Sequence, residues 1–463
     1  MKASTAIPLV SVIRNLFSSV SAVISRLRPS FGNLLVTDMR TFRTYSVPIE
    51  DNSIQATDFL KISPLSITAG YHDRMATGLV VYDAGFRNTA VRKSHITYID
   101  GNRGALQYRQ YPIDYLFAQH DYEDVMHLLI WGAIPTPKQK TTLRAEIAKR
   151  MTPDGSVTSA IHAFDPKAPA FLMITAGLSA WAASHPESVP IFAGDVLYTQ
   201  DPEAVDDGIY RSLAAFAVVA SITNCHQQGT PFNPAVDQKL SLIENMLIMM
   251  GRVDKHGRPI QKVYRVLNKL WILFADHEMT NSTAAFLHAA SSLSDPISAS
   301  IASVASANGP LHAGAIDMAY KHIQEIGSKE GVCKHMVDVR AKKRRMMGVG
   351  HRMYRTVDPR IQYIRSLMAD LSSEVEKNPL LEVALEIERT VSEDEYFTSR
   401  NLCINADLYG SFVYAGLGFD PKIFTQLAST ARCAGIMAHW KESMAQRPTL
   451  WRPKQVFNGT VAV

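Results

Sequence analysis

Between Ala214 and Ile222 the chain is apolar on every side of a helix, and Met246 to Met250 repeats the pattern. A helix without a polar face has to be covered all round, so in a soluble protein it lies in a thick core or at a subunit interface. Neither stretch has the roughly 18 or more apolar residues of a membrane span, and no membrane span is expected. The methionines read as packing material. A chain of 463 residues that is 46% hydrophobic and 20% charged can supply such a core.

Around these stretches, apolar residues recur at helical spacing, with caps or prolines between segments. The pattern predicts helices near 121–132, 137–150, 169–184, 206–227, 238–250, 258–274, 280–293, 296–307 and 313–326, then 358–375, 381–390, 406–416 and 421–445. Residues 46 to 112 differ. Short β-branched or aromatic runs (Leu79 to Tyr82, Ile96 to Ile99, Ala105 to Tyr108) alternate with glycine and Asp-Gly-Asn turn chemistry, which predicts a small β-rich N-terminal part. The expected fold class is therefore mainly α, in a two-lobed enzyme-sized unit.

Charge is unevenly placed. The chain carries 48 basic against 43 acidic residues. The whole surplus falls in residues 1–45, where Lys2, Arg14, Arg26, Arg28, Arg40 and Arg43 face only Asp38. The remainder is balanced, which argues against a nucleic-acid partner. Residues 1–45 are also serine-rich, and their apolar stretches are broken by arginine and serine. That composition fits a transit peptide or disordered leader, with a mitochondrial destination expected and a cytoplasmic one as the alternative. Cys225, Cys333, Cys403 and Cys433 form no CxxC pair or zinc spacing, so neither a disulfide scaffold nor a metal site is expected.

No Walker loop, HExxH, GxSxG or GxGxxG string is present. Three histidines instead stand at segment boundaries beside glycine, proline or acid: His277 between Asp276 and Glu278, His312 in Gly309 to Gly314, and His351 after Gly348 and Gly350. Arg355, Asp358, Arg360, Asp407, Arg432 and Arg452 bracket them. Arginines with neutral histidine donors and one carboxylate base suit a small dianionic keto acid and removal of a proton alpha to a carbonyl. The basic run Lys342 to Arg345 is either a solvated face or a phosphate contact.

The strings DHEMTNST (276–283), GPLHAGA (309–315), MGVGHRMYRTVDPR (347–360), NADLY (405–409), ARCAGIMAHWKE (431–442) and RPKQ (452–455) resemble citrate synthases, in order and at family-like spacing. YRQYPI (108–113) and HPE (185–187) extend the likeness. The resemblance implies a helical homodimer with shared active sites. It also implies a large lobe (46–315 and 420–463) and a small lobe (316–419) closing over a cleft.

The substrates implied are oxaloacetate and an acyl-CoA, the latter a co-substrate with no permanently bound cofactor. By the same resemblance His312, His351 and Asp407 would be catalytic, at the acyl-CoA carbonyl, the oxaloacetate ketone and the alpha proton respectively. His277, Arg360 and Arg432 would hold oxaloacetate, and Arg452 would reach it from the partner subunit. Gly348 and Gly350 would let the backbone approach the nucleotide of CoA, with Arg355 a further contact.

The sequence departs from the family where Ala313, Ile316 and Asp317 replace glycine, asparagine and glutamate, and where Leu408-Tyr409-Gly410-Ser411 replaces aromatic-Tyr-Ser-Gly. Ala168-Pro169-Ala170 and Gln110 differ as well. Retained catalytic side chains with altered neighbours suggest the same reaction on a longer acyl group, an alkylcitrate synthase, with Leu408 opening the room. Housekeeping citrate synthase and 2-methylcitrate synthase are the alternatives. An idle acyl-CoA-binding paralogue is the alternative of another class.

Overall fold

A computed structural model describes residues 31–63, 78–447 and 449–460. The chain divides into two compact units, one of residues 1–93 with 453–463 and one running from Ser94 to Arg452.

In the first unit, β1 (Gly32–Asp38) pairs antiparallel with β2 (Arg43–Glu50), and β2 pairs with the two-residue β3 (Ser53–Ile54). The β1–β2 turn is closed by Asp38, whose carboxylate accepts the Arg40 backbone N–H at 2.9 Å and its Nη2 at 2.8 Å. The leader boundary expected at residue 45 thus falls inside β2. The folded chain reaches back to Gly32, because Thr37 and Thr44 meet across the ladder and the register runs unbroken from Gly32–Ile49 to Asp38–Arg43. The rest of the expected leader, residues 1–30, lies outside the described residues.

Leu79 to Tyr82 is no strand. The Leu79 N–H bonds Phe59 O and Ile62 O at the end of the 3-10 turn Ala56–Lys61, so the β-branched run has no ladder to join.

The second unit opens with a three-stranded antiparallel meander, β4 (Thr97–Asp100), β5 (Ala105–Tyr108) and β6 (Tyr111–Pro112). Helices follow almost without interruption. They are α1 (Ile113–Gln119), α2 (Tyr122–Trp131), α3 (Pro137–Ala148), α4 (Gly155–His162), α5 (Ala170–Ala183), α6 (Pro190–Ala193) and α7 (Pro202–Gln228). Next come α8 (Leu242–Met249), α9 (Gln261–Phe274), α10 (Asn281–Ala290), α11 (Pro296–Ala307), α12 (Ala315–Ile326) and α13 (Lys329–Arg340). The last are α14 (Ile361–Asp370), α15 (Ser372–Val375), α16 (Leu380–Glu393), α17 (Glu395–Thr398), α18 (Ala406–Gly416) and α19 (Phe424–Met444). The mainly α class read from the sequence is the class observed.

The 27-residue α7 is the helix the apolar run demands: every residue from Ser212 to Cys225 is buried. By length and composition it could cross a membrane, yet 89% of its apolar window is buried inside the fold, as in a core helix. α7 packs on α5, α11 and α19, with Trp181, Trp271 and Trp440 fully enclosed in the same core. The stretch predicted as one helix over 358–375 splits. Asp358 to Arg360 forms a turn before α14, and Leu371 separates α14 from α15. The periodicity also passed over α1, α4 and α13 and the four-residue α6 and α17. In α13 the buried positions are Val332, His335, Met336 and Val339, a narrow stripe that includes a histidine.

Candidate functional site

A cavity of about 810 Å³ opens in the second unit. Its lining includes His277, His312, Gly348, Gly350, His351, Arg360, Asp407 and Arg432, so eight of the ten residues picked from the sequence share one space. Arg355 does not line it: the side chain is exposed, and its backbone N–H bonds Gly101 O at 2.8 Å. Arg452 is also exposed and outside the lining, next to Trp451, whose N–H bonds Ser291 Oγ at 3.0 Å.

His312 sits on the loop between α11 and α12. The loop is tight: a Cβ built on Gly314 would stand 2.3 Å from Asn308 O, so only glycine fits there. On the neighbouring helix, Thr280 caps α10 by accepting the Thr283 N–H at 3.3 Å, and Ser282 lies in the first turn. First-turn N–H groups have no partner within their own helix. That of Ser282 donates to His312 Nε2 at 3.2 Å, and Ser282 Oγ lies 2.7 Å from the same nitrogen. Nε2 is therefore an acceptor, which puts the imidazole proton on Nδ1.

His351 is fixed the other way round. Its Nδ1 accepts the backbone N–H groups of Met353 (3.0 Å) and Tyr354 (3.2 Å), leaving the proton on Nε2. Burial, and secondarily Arg360, lowers the His351 pKa to about 4; burial and then Arg432 do the same for His312, also to about 4. Both rings are neutral donors near neutral pH. His277 is held far below its ordinary value by burial and then by Arg360. Its Nε2 lies 3.1 Å from the Tyr354 hydroxyl, and its ring stands edge-on to His351 at 5.1 Å.

Asp407 occupies the first turn of α18. Asn405 caps that helix, its Oδ1 accepting the Asp407 N–H at 3.0 Å while its Nδ2 donates to Gly350 O at 2.7 Å. One residue thus joins the carboxylate-bearing helix to the glycine loop. The loop is held further by Gly350 N–H to Cys403 O at 2.7 Å and by a bridge between Val349 and Ile404. Burial pushes the Asp407 carboxyl up to about 6, with Arg360 opposing and Asp358 adding to the shift.

Arg360 is enclosed with Asp358 as a two-pronged ion pair, Nε to Oδ1 at 2.9 Å and Nη2 to Oδ2 at 2.6 Å. Asp358 Oδ2 also accepts the Ala406 N–H at 3.1 Å, which fixes the arginine against the start of α18. The carboxylate is held below its ordinary value, since Arg360 outweighs burial. Arg432 points its Nε at Phe274 O at 2.7 Å. Arg360 already has Asp358 as its anionic partner, whereas among the described residues no carboxylate forms an ion pair with Arg432, so an anion bound there would offset its desolvation.

Sequence reasoning gave no role to Ser282, Tyr354 or Phe274. Ser282 and Tyr354 fall inside quoted strings, but the orphan N–H and the ring contact that give them work are tertiary. Leu408 is fully buried and does not itself line the cavity; it packs under the glycine loop, where φ at Gly348 is +82° and a Cβ on Gly348 would meet the Leu408 Cβ at 3.0 Å. Of the basic run, Lys342, Arg344 and Arg345 line the rim, and Arg344 lies 3.6 Å from Glu325.

The chain belongs to the citrate synthase family: residues 85–454 match the family model described as citrate synthase, C-terminal domain. Among its relatives, the citrate synthase-like protein oryE of Aspergillus oryzae is 43% identical over 93% of this chain and 96% of its own length. The alkylcitrate synthase phiJ of a fungal species is 37% identical over 92% and 94% respectively. The citrate synthase of Thermoplasma acidophilum, solved as a ternary complex with carboxymethyl coenzyme A and oxaloacetate, superposes with a TM-score of 0.73 at 27% identity. That alignment covers 82% of this chain and 96% of the archaeal one.

Proposed function

We propose that the protein condenses an acyl-CoA with oxaloacetate and hydrolyses the resulting thioester, with an acyl group longer than acetyl. The observation that carries this reading is the pair of oppositely fixed neutral histidines, His312 protonated on Nδ1 and His351 on Nε2, sharing one cavity with a carboxyl whose pKa is about 6. A thioester alpha carbon is a weak acid, so a carboxylate removes its proton only if the enolate oxygen meets a ready donor. Such a donor is worth about 10²–10³ in rate.

In the proposed sequence Asp407 takes the alpha proton while His312 Nδ1–H bonds the thioester oxygen. The enolate carbon then attacks the oxaloacetate ketone. His351 Nε2–H bonds the ketone oxygen as negative charge builds on it, and the alpha proton taken up by Asp407 balances the proton that the new hydroxyl acquires. Arg360, Arg432 and His277 hold the keto acid, with Arg452 supplied by the partner subunit of a homodimer. Water then cleaves the thioester, giving a tricarboxylic acid and free CoA. Closure of a small lobe (316–419) on a large lobe (46–315 and 420–463) would exclude water before the proton moves.

Support for the longer acyl group comes from the retained cavity carboxylate and histidines beside Ala313, Ile316 and Asp317, and from the likeness to an alkylcitrate synthase. The test is thiol release with oxaloacetate and acetyl-, propionyl-, hexanoyl- or decanoyl-CoA, with product mass. Preference for the longer chains supports the reading, acetyl preference returns the protein to citrate formation, and no release from any of them makes it an acyl-CoA binder. A mitochondrial destination belongs to the same proposal, and residues 1–45 fused to a fluorescent protein test it against cytoplasmic retention.

A further inference from the structure

The cavity is chemically uneven. Lys342, Arg344 and Arg345 at its rim are exposed, whereas Phe216 of α7, Ser303, Val304 and Ala307 of α11, and Ala428 and Ile436 of α19 are each at most 8% exposed. Positions 303, 304 and 307 lie on one face of α11, and 428, 432 and 436 on one face of α19. Arg432 therefore has a small residue one turn before it and an isoleucine one turn after it. Ala307 and Ala428 end at Cβ and Ser303 one atom further, at Oγ, so α11 and α19 leave space between them that larger residues would fill.

Apart from the Ser303 hydroxyl, the stretch formed by Phe216, Val304, Ala307, Ala428 and Ile436 presents only carbon side chains, and such a surface suits an apolar group.

The proposed reaction fixes where that occupant begins. The alpha carbon has to sit at Asp407 and the thioester oxygen at His312, and the phosphates of CoA suit the basic rim. The substituent on the alpha carbon needs apolar surface, and the wall of α7, α11 and α19, built partly of small side chains, supplies it. Leu408, buried beneath Gly348, is not part of that surface.

We propose that Phe216, Ser303, Val304, Ala307, Ala428 and Ile436 form the subsite for the alkyl tail of the acyl group, and that Ala307 and Ala428 set the chain length it accepts. This deepens the condensation reading and rests on it for the position of the alpha carbon.

S-decyl-CoA, a thioether that has no carbonyl and cannot react, tests the subsite without turnover. Each methylene buried adds roughly fourfold to affinity, so the full-length protein is expected to bind S-decyl-CoA at least about tenfold tighter than CoA by calorimetry. Ala307→Leu and Ala428→Phe should each erase most of that advantage, and should lower the ratio of kcat/KM for decanoyl-CoA to that for acetyl-CoA by about tenfold or more. Should either bulky variant fail to fold, Val304→Ala enlarges the same wall and should move the preference to chains longer than decanoyl.

An unchanged ratio in both bulky variants, no shift in Val304→Ala, or no advantage of S-decyl-CoA in the unaltered protein overturns the subsite. Failure of the underlying reading looks different: tight S-decyl-CoA binding that the bulky variants abolish, with no thiol release from any acyl-CoA. That result refutes the condensation and leaves an apolar acyl site.

Discussion

At the scale of single residues, His312 and His351 owe their value to the nitrogen each has already committed. The Ser282 N–H holds Nε2 of one and two loop N–H groups hold Nδ1 of the other, so each ring can only donate from its remaining nitrogen. Asp407→Asn removes the carboxyl proposed as the base, and turnover should fall by about 10³ or more while oxaloacetate binding persists. Near-normal turnover in that variant would remove Asp407 from the mechanism. The base has to be ionised and its pKa is raised to about 6. The free-enzyme kcat/KM should therefore climb about tenfold per pH unit below that value and level off above it. With both histidines at about 4, neither should bend this limb, and a profile flat down to pH 5 would contradict the assignment.

Asp317 makes a separate prediction. Burial, with the charge of Asp407 adding to it, pushes its carboxyl to about 7 while it accepts the Thr425 N–H at 3.0 Å. A folded pKa above the unfolded one favours the folded state at low pH, and that contribution disappears as pH rises through about 7. Asp317→Asn should flatten the decline in melting temperature between pH 5 and pH 8, and an unaltered slope would show that the group titrates elsewhere.

At the scale of elements, the site is assembled from helix ends. The first turns of α10 and α18 and the C-terminus of α11 converge with the 347–360 loop, where capping leaves backbone donors and short loops aim side chains. The Asp358–Arg360 pair is the joint between that loop and α18. Asp358→Ala would strand a buried guanidinium, at a cost of about 3–5 kcal/mol, measurable by denaturant unfolding. A loss below 1 kcal/mol would mean that water or another anion compensates Arg360. The same scale shows why some elements were legible. α11 and α9 carry caps or apolar repeats that match their observed spans closely. By contrast, α13 has only four buried positions, one of them histidine, and Leu79 to Tyr82 had strand composition without a partner strand.

At the scale of the whole molecule, Arg452 tests assembly. It lies outside the cavity of its own chain, and the proposed sharing of sites between subunits gives it a test. Coexpressing Arg452→Ala with Asp407→Asn should restore activity towards roughly a quarter of the unaltered level, because half of the dimers would hold one intact site. No rescue would leave the residue outside catalysis. What the sequence determined alone was the helical class, from apolar periodicity, and the family and eight cavity residues, from ordered motifs whose chemistry needs those side chains. Both signals are local along the chain. The β1–β2 pairing across residue 45, the place of Arg355, the burial of Leu408 and the apolar wall of α7, α11 and α19 were decided by tertiary structure. Each depends on which surfaces meet across distant segments, and a side chain's type does not say which neighbour will cover it.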